Sequence, residues 1–101
     1  MTQRVTITTE ESVALRPLLE SAARTELRML DLGLERTDER VRRFEERFGM
    51  NSDEFMRRYR TGQIEESLDT IEWAGGVETR KILEEQRKAL QELRFSRSRN
   101  T

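Results

Sequence analysis

The side chains of this 101-residue chain that could take part in chemistry are almost all carboxylates and guanidinium groups. Asp and Glu together number 20, Lys and Arg together number 19, and His and Cys do not occur. Without histidine the chain lacks the most common general base and transition-metal ligand. Without cysteine it lacks disulfides, zinc–thiolate sites and thiol nucleophiles. Any catalytic or metal site would therefore have to be built from carboxylates, hydroxyl groups and arginines.

Carboxylates recur in adjacent pairs, as an acidic catalytic or metal site would require. A di-metal helical bundle takes Glu together with Glu-x-x-His motifs that project into its core, and the histidines are missing here. The chain also lacks a glycine-rich phosphate loop and a Ser or Thr beside a candidate base. We therefore expect neither catalysis nor a cofactor, and we interpret the acidic pairs as solvated helix faces. The pairs in the middle of the chain are Glu45-Glu46, Asp53-Glu54 and Glu65-Glu66.

The aromatic residues are more informative than the acidic ones because they are clustered. Only Phe95 lies outside the stretch between residues 44 and 73. Aromatic residues and arginine dominate the hot spots of protein interfaces. Two interpretations stay open, since the rings could build a turn between helices or could contact a partner. The clustered residues are Phe44, Phe48, Phe55, Tyr59 and Trp73.

The composition favours long helices that each bury a narrow stripe. Hydrophobic residues make up 34% of the chain and charged residues 39%, which is too polar to fill a large core. The net charge of −1 gives no general attraction to nucleic acid or membrane. No apolar run approaches the roughly 18 residues that a membrane span needs, and residues 1–5 do not resemble a signal peptide. We expect a soluble, cytoplasmic protein.

A long first helix is predicted over residues 9–48. Thr8 and Glu11 have the spacing of a capping box, and Pro17 predicts either a kink or a helix that starts at the proline. A heptad-like stripe follows, which predicts packing along another helix. Gly33 lies within it and could mark a close helix crossing. The stripe consists of Leu19, Ala23, Leu27, Leu30, Leu34, Thr37, Val41, Phe44 and Phe48.

Two further helices are predicted, over residues 52–61 and 68–95. Gly49 is placed to end the first helix, and Asn51 with Glu54 has the spacing of a new capping box. The pair Gly75-Gly76 could break the last helix or serve as a crossing point. We expect a frayed tail over residues 96–101. Leu68, Ile71, Gly75, Ile82, Ala89 and Leu93 fall on one side of the last helix, with Leu83 and Leu90 flanking them.

The predicted architecture is an all-α helical hairpin with a short connecting helix, in a single domain of residues 1–101. The hairpin spans residues 9–95. Val5 and Ile7 alternate with polar residues before it, which predicts a short strand or an extended arm over residues 1–8. The core of such a hairpin is thin, so we expect a homodimer or a bound partner to complete it.

The turn region carries a family resemblance. Residues 44–55 read FEERFGMNSDEF, and after Gly62 residues 69–75 read DTIEWAG. Over about residues 34–93, the chain resembles a group of short prokaryotic antitoxins and antitoxin-like proteins, with the pattern F-E-x-[KR]-[YF]-G-M-[ST]-x-E-E-F, a spacer with Gly, then D-x-x-E-W. Asn51 and Asp53 depart from it, and Gly76 stands where a charged residue is usual.

The resemblance implies a protein that binds and masks a cognate toxin, encoded next to it, through helix faces. Helix-in-groove recognition suits a thin hairpin that needs a partner. We predict the partner-binding surface at the turn. Its residues are Phe44, Phe48, Met50, Phe55, Tyr59, Ile71 and Trp73.

Two other functions remain open from the sequence. A ribbon–helix–helix DNA-binding regulator would present Arg4, Thr6 and Thr8 from a paired strand in the major groove. That fold needs a turn after a short first helix, whereas the apolar pattern here continues to Phe48. A structural coiled-coil adaptor is the third interpretation.

Overall fold

Three helices make up the described chain. In the computed structural model, the backbone is described from residue 9 to residue 99 and the side-chain surroundings from residue 15 to residue 93. The helices are α1 (Thr9–Phe48), α2 (Ser52–Arg60) and α3 (Leu68–Arg99). The predicted all-α hairpin with a short connecting helix is confirmed. The predicted strand or arm of residues 1–8, with Arg4, Thr6 and Thr8, lies outside the described residues.

The first two helices end where glycine permits a left-handed backbone. Gly49 has φ +64° and Gly62 has φ +77°, a region that other residues rarely adopt. After Gly49, the backbone N–H of Met50 donates to the carbonyl of Glu45 at 3.2 Å, which satisfies one of the free carbonyls at the end of α1. The same kind of bond closes α2. Both turns are therefore fixed by the sequence locally.

Two boundary predictions need correction. The last helix was predicted to end at residue 95, but α3 continues to Arg99, so residues 96–99 of the predicted frayed tail are helical. The main part of α1 does not start at Pro17, because the helix already begins at Thr9 and runs through the proline. Because proline has no backbone N–H, one helical hydrogen bond is missing at Pro17, and the helix continues past it.

The long helices α1 and α3 pack side by side in opposite directions. Along α1, the predicted stripe supplies the core, with Leu27, Leu30, Leu34, Val41 and Phe44 buried. Thr37, its polar member, is half-buried and donates its hydroxyl to the Gly33 carbonyl at 2.8 Å. The stripe is exposed at both ends, at Leu19 and Phe48.

The apolar side predicted for α3 does not face α1. Leu68, Ile71, Ile82 and Leu93 are largely exposed. Of the two apolar rows of α3, each of which contains a glycine, the one that faces the core is the one that contains Trp73, whose large ring is buried there. The residues of α3 that are buried or half-buried towards the hairpin core are Thr70, Trp73, Ala74, Gly76, Val77, Arg80, Leu83 and Leu90.

Glycine lets the two helices approach closely at Gly76. A Cβ atom there would lie 3.2 Å from Cγ2 of Val41, which is tighter than about nine in ten real Cβ contacts. At Gly33 a Cβ atom would lie 3.4 Å from Leu83, an ordinary contact. The pair Gly75-Gly76 does not break α3, so of the two predicted outcomes the crossing point is the one found.

Candidate partner-binding surface at the turn

Trp73 is the centre of the aromatic cluster, where all three helices meet. Its side chain is 1% exposed, and its ring lies parallel to that of Phe55, with 3.8 Å between centroids and 3° between planes. Phe44 and Phe48 stack against the same indole at 5.9 Å and 5.5 Å. Each such pair contributes about 0.5–1.5 kcal/mol beyond burial of area. The cluster thereby joins α1, α2 and α3.

The indole N–H of Trp73 has a buried partner. It donates to the hydroxyl oxygen of Ser52 at 3.0 Å, and Ser52 is itself 2% exposed. A buried N–H without an acceptor would be costly. Ser52 also donates its backbone N–H to the Glu45 carboxylate at 2.8 Å, which ties the start of α2 to the end of α1. No sequence signal had singled out Ser52, because it stands at a variable position of the capping motif.

Side-chain caps fix the starts of α2 and α3. The Asn51 side-chain oxygen accepts the backbone N–H of Glu54 at 2.9 Å, as its capping position predicts. At α3, the Ser67 hydroxyl accepts the N–H of Thr70 at 3.2 Å, while the Thr70 hydroxyl accepts the N–H of Ser67 at 2.8 Å. Thr70 is buried beneath this reciprocal pair. The entry angle of both helices is therefore set by short-range bonds.

Ion pairs surround the cluster at the surface. Arg47 of α1 pairs with Asp69 of α3 at 3.0 Å, and Arg60 of α2 pairs with Glu78 of α3 at 2.9 Å. These pairs are solvent-exposed, so each contributes little to stability, about 0–1 kcal/mol. The first pair spans the last turn of α1 and the first turn of α3, and the second spans the last turn of α2 and α3.

Glu54 is the ionisable group whose protonation the turn changes most. Hydrogen bonds from Arg57 and then Arg58 lower the pKa of Glu54 to about 2. Desolvation and a hydrogen bond to Glu66 raise the pKa of Tyr59 above its usual value. Both groups lie on α2 and serve surface networks rather than an enclosed site.

The seven predicted partner-binding residues divide by burial. Phe44, Phe55 and Trp73 are buried, so in this conformation they support the surface from below. Met50 and Tyr59 are half-buried. Phe48 and Ile71 are accessible, at 43% and 52% exposure. The sequence located the cluster but could not separate buried from exposed rings, since both kinds recur at helical spacing.

Leu68 completes the accessible set. It is 74% exposed in the first turn of α3, directly before Asp69, whose carboxylate holds Arg47 beside Phe48. The Arg47 guanidinium carbon lies 5.5 Å from the Phe48 ring centroid, within cation–π range. A leucine at the start of a helix, where little chain precedes it to pack on, is the sequence signal that could have marked this residue. We call Phe48, Leu68 and Ile71 the turn-end patch.

Among the described residues, no three acidic side chains are grouped so that they could hold a metal ion. No described helix contains an apolar stretch that would suffice to cross a membrane. The acidic pairs of the turn instead hold backbone or arginine groups, as Glu45 and Glu54 do. The arrangement at the turn is a rigid apolar and aromatic platform with charged margins.

Comparison with protein-family models, with curated proteins and with solved structures finds no match to this chain. The resemblance to antitoxins thus rests on the residue pattern of the turn.

Proposed function

We propose that this chain is a non-enzymatic, antitoxin-like protein that binds and masks a cognate protein toxin through its helix faces, with the turn-end patch as the principal contact. The observation that carries the proposal is the pairing of exposed apolar side chains with an immobile base. Phe48 is accessible and stacks on Trp73, which is locked by further stacked rings and a buried hydrogen bond, and Ile71 is accessible on the neighbouring turn of α3.

Preorganisation makes such a patch effective in binding. A surface whose side chains are already held in place loses less conformational entropy when a partner docks. Aromatic residues next to arginine, as at Phe48 and Arg47, are the typical anchors of interface hot spots. The open sides of α1 and α3 then offer further helical surface for a groove on the partner.

The residues that carry the resemblance have clear structural roles, which supports its use as a guide. Glu45 accepts the Ser52 N–H, Gly49 ends α1, and Asp69 pairs with Arg47. Trp73 organises the core of the turn. The motif therefore describes how this turn is built, and of the turn-end patch it specifies Phe48.

The test is co-expression of the chain with the product of the neighbouring open reading frame. We expect that product to arrest growth alone, to be neutralised by this chain, and to co-purify with it. Ile71→Glu places a charge in the patch and should weaken co-purification by at least about tenfold in affinity. Glu72→Gln, one residue away and outside the patch, is the matched control. A neighbour that is harmless alone and does not co-purify would contradict the proposal.

No described feature favours the DNA-binding function over this one. The helix α1 runs for 40 residues without the turn that a ribbon–helix–helix fold needs after its first helix. A coiled-coil adaptor would share the helices of the proposed protein but not the neutralisation of a toxin, so growth rescue separates the two.

A further inference from the structure

Each long helix carries a second apolar row that faces away from the hairpin core. On α1 this row is Leu18, Ala22, Thr25, Met29 and Leu32, with alternating steps of four and three residues. Leu18 is 66% and Met29 60% exposed. Alternating steps of four and three are the spacing of residues that pack against another helix over several turns. The row therefore has the period of an interface but no described partner.

Arginines continue the α1 row towards the turn. Arg36, Arg40 and Arg43 follow Leu32 with steps of four, four and three residues. None of them makes an ion pair or hydrogen bond with another described residue, although Glu39 lies within reach along the helix. By contrast, the arginines of α2 are all paired. A surface that complements this face must be apolar at one end and acidic at the other.

The outer face of α3 has that character. Ile82, Ala89 and Leu93 form its apolar row, and Ile82 and Leu93 are more than half exposed. Glutamates flank the row at seven-residue steps, which places them on one side of it. They are Glu78, Glu85 and Glu92. The exposed face of α3 is thus chemically complementary to the exposed face of α1 in the same molecule.

The two rows lie on the same broad face of the hairpin. At about 100° per residue, each row is rotated by about 140° from the core-facing side of its helix, in the same sense. In an antiparallel pair of helices, equal rotations of the same sense lead to the same face. This face cannot be covered by the hairpin's own helices, because both rows point away from the contact between α1 and α3.

Intrachain salt bridges fix which residues are level with one another. Asp31 pairs with Arg87 at 2.8 Å and Asp38 with Arg80 at 3.6 Å. Two residues from the first pair towards the open end of the hairpin, Met29 of α1 is level with Ala89 of α3. Two residues from the second pair towards the turn, Arg40 of α1 is level with Glu78 of α3. The long side chain of Met29 is thereby level with the small side chain of Ala89, and the guanidinium group of Arg40 is level with the carboxylate of Glu78.

We propose that two copies of this chain pack face to face about a two-fold axis parallel to the hairpin, so that α1 of each copy lies along α3 of the other. In such a four-helix bundle all neighbouring helices are antiparallel. The intermolecular register then repeats the intramolecular one, with Met29 on the partner's Ala89 and Arg40 on the partner's Glu78. Glu78 also pairs with Arg60 of its own chain, and one carboxylate can accept from two guanidinium groups.

This contact goes beyond the proposed function and uses a different part of the molecule. Complementarity ends near Glu78, because Gly75 offers no side chain and the α1 row there holds only arginines. The turn-end patch remains outside the apolar contact. A dimer would therefore carry two turn-end patches, one from each chain.

Sedimentation equilibrium of the full chain tests the inference. We expect a mass twice the 12.0 kDa of one chain, with a measurable dissociation constant. Met29→Glu should raise that constant on the order of a hundredfold, because the two-fold axis places the new charge in the interface twice. Met29 is exposed in the single chain, so helicity by circular dichroism should stay unchanged. A monomeric wild type, or a Met29→Glu variant that dimerises as tightly, would overturn the proposal.

A charge-exchange series tests the register. Arg40→Glu and Glu78→Arg should each weaken dimerisation by about tenfold, whereas the double variant should restore it to within about threefold. Arg42→Glu makes the same charge change two residues away, on the opposite side of α1, and should have no effect. An equal loss in Arg42→Glu, or no restoration in the double variant, would overturn the register and with it the bundle. Ile71→Glu should leave the dimer intact, so this outcome is independent of toxin binding.

Discussion

The two ends of the hairpin bury their apolar side chains to different extents. At the turn, α2 closes over the two long helices, and Phe55 and Trp73 have almost no contact with solvent. At the open end only α1 and α3 are present, so Leu27 and Leu30 are buried from one side while Leu18 and Met29 remain exposed on the other. Two helices cannot enclose a core, whereas three can, and that difference decides where the chain is rigid and where it needs a partner.

The difference between the two ends can be tested most directly by truncating one core residue at each end to alanine. Trp73→Ala should lower the free energy of unfolding by about 3–5 kcal/mol, since it deletes the centre of three stacked contacts and leaves Ser52 without its buried donor. Leu30→Ala at the open end should cost nearer 2–3 kcal/mol. Urea unfolding followed by circular dichroism gives both values.

Which of the two variants loses more unfolding free energy matters more than the size of either loss. Leu30 is packed on by one neighbouring helix, so its surroundings can relax into the space that the alanine leaves. If Leu30→Ala proved as costly as Trp73→Ala, the open end would have a core as well enclosed as that of the turn. The measurement belongs at a concentration where the chain has one oligomeric state, because dimerisation adds to apparent stability.

The sequence contained most of the fold, and the reasons are local. The bounds of α1 and α2 follow from Gly49, Gly62 and Asn51, whose effects act within one helical turn. The position of the aromatic cluster followed from its spacing. The face of α3 that packs on α1 was not predictable in this way, because both of its apolar rows have helical period. The burial of Trp73 decides between them, and it takes effect only after the helices meet.

Substitutions at the neighbouring glycines of α3 can locate the boundary between the rigid turn end and the open end. Gly75→Ala should stabilise the chain by roughly 1 kcal/mol, because alanine favours helix and nothing lies within 4 Å of the new methyl group. Gly76→Ala gains the same propensity but places its methyl carbon 3.2 Å from Val41, so it should be less stable than Gly75→Ala by about 1–2 kcal/mol. Thermal unfolding of the two variants side by side measures the difference. Equal stabilisation would mean that the helices can move apart at this point, and the rigid end would then stop short of Gly76.

The smallest expected effect concerns the surface of α2 at the turn end. The pKa of Glu54 is lowered from 4.5 to about 2 by Arg57 and Arg58, so its ionised form is favoured by folding. Its contribution to stability is therefore fully present above pH 4.5 and is lost as the pH falls from 4.5 towards 2. Because these groups are exposed, salt should weaken the effect. Glu54→Gln should flatten the stability profile slightly in that pH window, whereas Glu46→Gln, at an exposed carboxylate without an ion pair to a described residue, should leave it unchanged. An unaltered profile in Glu54→Gln would show that ionised Glu54 contributes nothing to the stability of the turn end.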